Sequence, residues 1–386
     1  MHWAPLLLLA ALASTRAGRG QQTGLAFRRL PAQLLASNAS VEYLLQLSLG
    51  RPGQSMAAAL DTRAPWLMVT SVMCASCYAC TGRKIRAYDH SDSSSYRPIG
   101  ARAELRFSSG LRAWGLLGTD LASLNLGGLQ VGGQEFCEAT WVSDEFVRLH
   151  ADSLLGLLPL EGSLLAGLSV GEFSLELSSA HTGQLSLNAT TRAGLRWVHC
   201  SGCLASTTTT TTTPPPQVGW QFELQRVDLA WPQGPAKQQV AVGGEPGRPQ
   251  VAIVDSTRAL LVGPVAQVRA LNLAMGAREL AGGLFEFERC QVAQLARSLP
   301  RLGLWPRGAG EPLTLEPADY VVVERHLGAN STRCLSGLAA ELEARDGPAE
   351  VARWLLGDLF LRAHYTHFDW QRKRLGFVRR LRSSYF

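Results

Sequence analysis

The sequence predicts a mainly β fold with few short helices, built as two similar lobes around a shared cleft. Three observations predict it. Short runs of alternating apolar and polar residues, cut by glycine and proline, read as strands and turns, as at Leu45, Leu47 and Leu49 before Gly50 and Pro52-Gly53. Two apolar segments 194 residues apart end in an aspartate and a hydroxyl residue, Ala59-Leu60-Asp61-Thr62-Arg63 and Ile253-Val254-Asp255-Ser256-Thr257. Each is followed downstream by a Leu-Leu-Gly, at Leu116-Leu117-Gly118 and Leu355-Leu356-Gly357, so the pair reads as a duplicated lobe contributing one carboxylate per copy.

With 386 residues, 46% of them hydrophobic and 18% charged, the chain is long enough for a sizeable core and too apolar for general disorder. Residues 4–13 are a short apolar run followed by small residues suited to signal peptidase, so residues 1–17 read as a signal peptide. A bilayer span takes about 20 apolar residues. No stretch reaches that, so the mature chain is expected to be secreted or endolysosomal, with no membrane span. Asn38, Asn188 and Asn330 each open an Asn-x-Ser/Thr sequon, and the eight cysteines are an even number, both of which suit that compartment. A net charge of +6 raises nucleic acid or phospholipid as a partner, but the arginines are scattered and their densest cluster, Arg372 to Arg382, is terminal. No nucleic-acid partner and no cofactor are expected.

The closing segment Trp354-Leu355-Leu356-Gly357-Asp358-Leu359-Phe360-Leu361-Arg362, then Tyr365-Thr366-His367-Phe368-Asp369 and Leu375-Gly376-Phe377, carries the most specific pattern. With the duplicated aspartate loops it resembles the pepsin-like aspartic proteases of the cathepsin D and napsin type, over residues 43 to about 380. The resemblance implies the pepsin-like acid protease fold, with lobes related by a pseudo-two-fold axis. On that template residues 41–190 are the N-terminal lobe and 220–386 the C-terminal lobe. Residues 191–219 are an insertion whose seven threonines at 207–213 and prolines at 214–216 read as an extended loop. Residues 18–40 resemble a prosegment of about half the usual length.

Within the N-terminal lobe, residues 104–110 fall where the family's flap hairpin belongs, and Asp152-Ser153-Leu154-Leu155-Gly156-Leu157 stands for Asp-Gly-Ile-Leu-Gly-Leu. Only 14 residues separate Leu157 from Glu172, where the family places a helix and its loops, so part of the wall on the substrate side reads as deleted. The resemblance also implies a disulfide from Cys74 to Cys80 and another from Cys290 to Cys334, and leaves Cys77, Cys137, Cys200 and Cys203 without counterparts. Cys74-x-x-Cys77-x-x-Cys80 alone also fits a zinc ligand set. A secreted chain favours disulfides, so no metal is expected.

In a working aspartic protease two carboxylates about 3 Å apart share one proton, because both cannot ionise so close together. One is general base towards water and the other general acid towards the scissile carbonyl. Asp61 and Asp255 hold those catalytic positions, and Thr62 and Ser256 keep the hydroxyls that cross-link the two loops. The family's glycine is replaced by Arg63 and Thr257, and the following hydroxyl residue by Ala64 and Arg258. Arginines pointing inward would strip the shared proton, whereas arginines pointing to solvent would leave it. Phe107 stands for the flap tyrosine without its hydroxyl, and Met68 for the tryptophan that supports it, with Trp66 nearby.

Arg63, Thr257 and Arg258 thus perturb the site, while Phe107, Thr62 and Ser256 remain to meet a substrate. The reading is a monomeric pseudoprotease that binds an extended peptide or protein by strand-like hydrogen bonds. The alternative is an active acid endopeptidase using Asp61 and Asp255.

Overall fold

Alternation of buried and half-exposed residues along Val41–Leu49 lets that strand pair with Gln54–Asp61 and place one face in the core. A computed structural model of the chain describes residues 23–31, 39–78, 85–107, 110–124, 128–178, 180–203, 218–232, 240–243, 250–325, 332–341 and 351–380. The signal-peptide region, Asn38, Cys80, Asn330 and the threonine- and proline-rich run lie outside the described residues. Asn188 lies inside them and is exposed.

The fold is mainly β, with two lobes and short helices. A 13-stranded sheet begins at Arg196–His199 and passes through Arg374–Arg379, His364–Asp369, Glu172–Leu177 and Thr182–Leu187. It continues through Thr23–Pro31, Val41–Leu49 and Gln54–Asp61 to the outer strands of the N-terminal lobe. An eight-stranded sheet centred on Gln221–Ala230, Gln250–Val254 and Ala352–Leu356 forms the C-terminal lobe, with a four-stranded sheet beside it.

The duplication is visible in the pairing. Gln54–Asp61 runs parallel to Ser153–Gly156, which is antiparallel to Leu67–Thr70. In the other lobe Gln250–Val254 runs parallel to Ala352–Leu356, which is antiparallel to Leu261–Gly263. The register matches too, with Asp61 opposite Gly156 and Val254 opposite Leu356. This corrects one expectation: the partner of the first aspartate strand is Leu154-Leu155-Gly156, not Leu116-Leu117-Gly118, which belongs to the hairpin strand Arg112–Leu124. Glycine is required at both partners because the loop beyond each aspartate crosses there. A Cβ on Gly156 would lie 2.3 Å from the Ala64 carbonyl oxygen, and one on Gly357 2.4 Å from that of Leu260.

Two strands lie in stretches that the sequence reading leaves outside the lobes. Residues 23–31, expected in a prosegment-like stretch, form a strand between Thr182–Leu187 and Val41–Leu49. Residues 196–199, expected in an insertion, form the edge strand beside Arg374–Arg379. Both are positioned by main-chain hydrogen bonds, which leave little trace in side-chain pattern. The stretch after Leu157, expected to lack part of a wall, carries a one-turn helix, Leu164–Gly167, whose N-cap Ser163 accepts from the Ala166 N–H.

The C-terminal pattern packs the lobes together. Phe368 stacks on Phe173 at 4.5 Å between ring centroids and meets the edge of Trp220. Trp354, fully buried, donates its indole N–H to Gln267 at 3.0 Å. Cys290 is bonded to Cys334 and Cys200 to Cys203. The expected Cys74–Cys80 bridge is replaced by Cys74–Cys77, whose Cα atoms one helical turn apart are 5.4 Å from each other. Cys137 is a buried free thiol.

Candidate active site

Each aspartate closes its own local turn. The Arg63 backbone N–H donates to Asp61 Oδ1 at 2.8 Å, and the Thr257 N–H donates to Asp255 Oδ1 at 2.9 Å. These are side-chain-capped turns of the kind aspartate favours, and they fix one oxygen of each carboxylate. The Thr257 hydroxyl adds a third contact, donating to the same Asp255 oxygen at 2.6 Å.

The two turns are then cross-linked with near symmetry. Thr62 N–H donates to Ser256 Oγ at 3.0 Å and Ser256 N–H donates to Thr62 Oγ1 at 3.0 Å. The two hydroxyls donate onward, Thr62 to the Val254 carbonyl at 2.9 Å and Ser256 to the Leu60 carbonyl at 2.8 Å. All four groups are satisfied where Thr62 and Ser256 are fully buried. Ser256 and Thr62 thus play matching parts, and together they hold the two aspartate loops side by side.

What differs is the charge around them. Arg63 Nη1 lies 3.3 Å from Asp255 Oδ2, across the lobe boundary. Arg258 Nε lies 3.9 Å from the same oxygen. Both arginines thus face inward, and both face one aspartate. Burial pushes the Asp255 carboxyl up, but Arg63, Arg258 and the bonds from Thr257 outweigh it and hold it below the usual carboxylate range. Burial and the neighbouring Asp255 charge push Asp61 the other way, up to about 6, against the opposing pull of Arg63 and Arg258.

The arginines therefore polarise the pair. In mildly acidic solution Asp61 carries the proton and Asp255 is an ion-paired carboxylate. This corrects the expectation that inward arginines strip the shared proton: burial and the Asp255 charge leave an acid on Asp61, whereas a carboxylate held by two guanidiniums is a weakened base.

The flap hairpin joins Arg97–Arg106 to Arg112–Leu124. At its turn Phe107 N–H donates to the Leu111 carbonyl at 2.9 Å. The Phe107 ring is buried with Ala64, Met68, Leu105, Leu111 and Phe146, so it packs beneath the hairpin and exposes 6% of its surface. Trp66 packs against the same cluster, and its buried indole N–H has no acceptor among the described residues.

Sequence reasoning did not anticipate the strap on the second loop. Val41 N–H donates to the Thr257 carbonyl at 3.1 Å, and Ala259 N–H donates to the Ala39 carbonyl at 2.9 Å. Residues 39–41 thus run antiparallel to the arginine-bearing turn, with Ser40 opposite Arg258. Only main chain is used, so no residue type signals it. Among the described residues no cluster of His, Cys, Asp or Glu is arranged to hold a metal. No helix among them is long and apolar enough to cross a membrane.

Two lobes built on the same strand pairings, each delivering a buried aspartate to a shared hydroxyl cross-link, define an aspartic-protease class of fold and site. The model of the eukaryotic aspartyl protease family matches residues 42–161 and 173–380, and the chain belongs to that family. The unmatched interval, 162–172, runs from the turn after Leu157 through Glu172. Similar proteins include cathepsin D of Rattus norvegicus, 28% identical over 371 residues, covering 90% of this chain and 83% of the relative. Cathepsin D of Homo sapiens is 28% identical over 374 residues, covering 90% and 82%. Cathepsin E of Cavia porcellus is 28% identical over 350 residues, covering 87% and 80%.

Proposed function

We propose that this chain is a pseudoprotease of the secretory pathway that binds an extended peptide or protein segment between its lobes without hydrolysing it. The observation that carries the reading is the ion pair from Arg63 to Asp255. Hydrolysis needs one carboxylate to take a proton from water as the other donates to the carbonyl. Here the ionised partner is compensated by two arginines, so its affinity for a proton is low when water attack requires it to be high. The intact Thr62–Ser256 cross-link supports a retained groove architecture. An N-terminus of signal-peptide character supports the compartment.

A specific observation favours a second reading, an acid endopeptidase using Asp61 and Asp255. Asp61, pushed up to about 6, holds a transferable proton in the acidic range.

The deciding experiment is cleavage of a fluorogenic apolar peptide between about pH 3 and 6, comparing wild type with Arg63→Gly/Thr257→Gly and Asp61→Asn. The pseudoprotease reading expects no turnover from folded wild type and turnover regained in the double variant. Wild-type turnover abolished by Asp61→Asn would overturn it in favour of the enzyme.

A further inference from the structure

The ligand class follows from the balance of charge at the centre of the site, granted that the groove binds peptide. Four charged side chains meet there: Asp61 and Asp255 from the two loops, Arg63 from the first and Arg258 from the second. Both carboxylates are buried, Asp61 at 2% exposure and Asp255 at 0%. Both guanidiniums address Asp255, at 3.3 Å and 3.9 Å. Arg63 reaches Asp255 from the opposite lobe and keeps a quarter of its side chain exposed.

We propose that the site selects acidic peptide segments, seating an Asp or Glu side chain or a terminal carboxylate on the exposed side of Arg63. An arginine presents donors in a fixed fork that meets a carboxylate through paired hydrogen bonds, and such charge-assisted bonds are the stronger ones. Asp255 engages Arg63 through a single nitrogen, Nη1, at 3.3 Å.

The same arrangement makes the selection pH-dependent. Asp61 faces Asp255, Arg63 and Arg258. Protonating Asp61 removes one negative charge from beside the two guanidiniums. Because burial and the Asp255 charge raise Asp61 to about 6, the site becomes more positive as the compartment acidifies. Free aspartyl side chains titrate near 3.9, so an acidic peptide is still largely ionised at about pH 5.

The test is fluorescence-polarisation binding of a labelled extended peptide carrying Asp, its Asn counterpart, and a neutral statyl-type peptide, at about pH 5 and 7.5. Wild type should bind the Asp peptide about ten-fold tighter than the Asn peptide at the lower pH, with a smaller ratio at the higher. Arg63→Gly should bring the ratio near one while the statyl-type peptide still binds. Asp61→Asn, fixed in the neutral form, should keep the full ratio at both values. Binding of the statyl-type peptide with no Asp preference would overturn this proposal and leave the pseudoprotease reading standing. Binding of none of the three by folded protein would overturn both.

Discussion

Arg63 Nη1 and Asp255 Oδ2 stand 3.3 Å apart although 192 residues and a lobe boundary separate them. The pair exists because the Thr62–Ser256 cross-link brings the two loops together and residue 63 is an arginine, long enough to reach across. With Arg258 on the same oxygen, the second carboxylate sits between two guanidiniums.

Replacing Arg63 by glycine is expected to raise the Asp255 pKa, since the larger opposing effect of burial then meets only Arg258 and the Thr257 bonds. Carboxyl-carbon NMR titration of selectively labelled protein measures this directly. An Asp255 titration unchanged in R63G would show that the ion pair has no influence on the site.

Asp61 should leave a signature in stability against pH. Its folded pKa, about 6, lies above the model value of 3.8, so the native state holds the proton more tightly than the unfolded chain. Between those values the native state binds more protons, and stability falls as pH rises through that window. Asp255 has the opposite sign: its lowered pKa contributes stability above the unfolded value, lost as pH falls through the folded one. Asp61→Asn removes the first effect while keeping an oxygen to accept from Arg63 N–H. The variant should be more stable than wild type at neutral pH, by on the order of 3 kcal/mol, and nearly equal to it near pH 4. Urea unfolding at both values measures the difference.

The hydroxyl cross-link should be costly to break because its donors are buried. Ser256→Ala removes the acceptor of Thr62 N–H and the donor to the Leu60 carbonyl, leaving two main-chain groups unsatisfied. A loss of about 1–3 kcal/mol is expected from chemical denaturation, with Ser256→Thr close to wild type.

The fold was legible because its strongest signals are repeated or long. The aspartate segments recur with apolar residues before each aspartate and a hydroxyl residue after it, and the run from Trp354 to Phe377 fixes the inter-lobe packing through buried aromatics such as Phe368. The carboxylates and their hydroxyl partners were legible because the turn each aspartate caps is local. Other features were not. The direction taken by Arg63 depends on a flexible stem and on a partner in the other lobe. Three cysteines at equal spacing, 74, 77 and 80, offer competing bridges, and the helical turn at Ala75–Tyr78 favours the nearer one. The strand Thr23–Pro31 and the strap at 39–41 rest on main-chain bonds that many sequences make.

That N-terminal strand is nevertheless anchored by one side chain, and the anchor gives a sharp prediction. Arg29 grips Asp358 with two nitrogens, each at 2.5 Å, and donates a third bond to the Ala180 carbonyl at 2.8 Å. Tyr43 donates to the same carboxylate at 2.9 Å, and Arg362 lies 3.0 Å from it. Asp358 is 1% exposed, and its own N–H donates to the carbonyl of Arg258. The contact therefore links the N-terminal strand to the loop that carries Asp255. Arg29→Met leaves a buried carboxylate with Tyr43 and Arg362 as its remaining partners, and should destabilise the protein by about 3 kcal/mol. Asp358→Asn in the same background should restore part of that loss, because the uncompensated charge is then gone. A double-mutant cycle in urea measures the coupling, and purely additive losses would mean that the strand is held by its main-chain pairing alone.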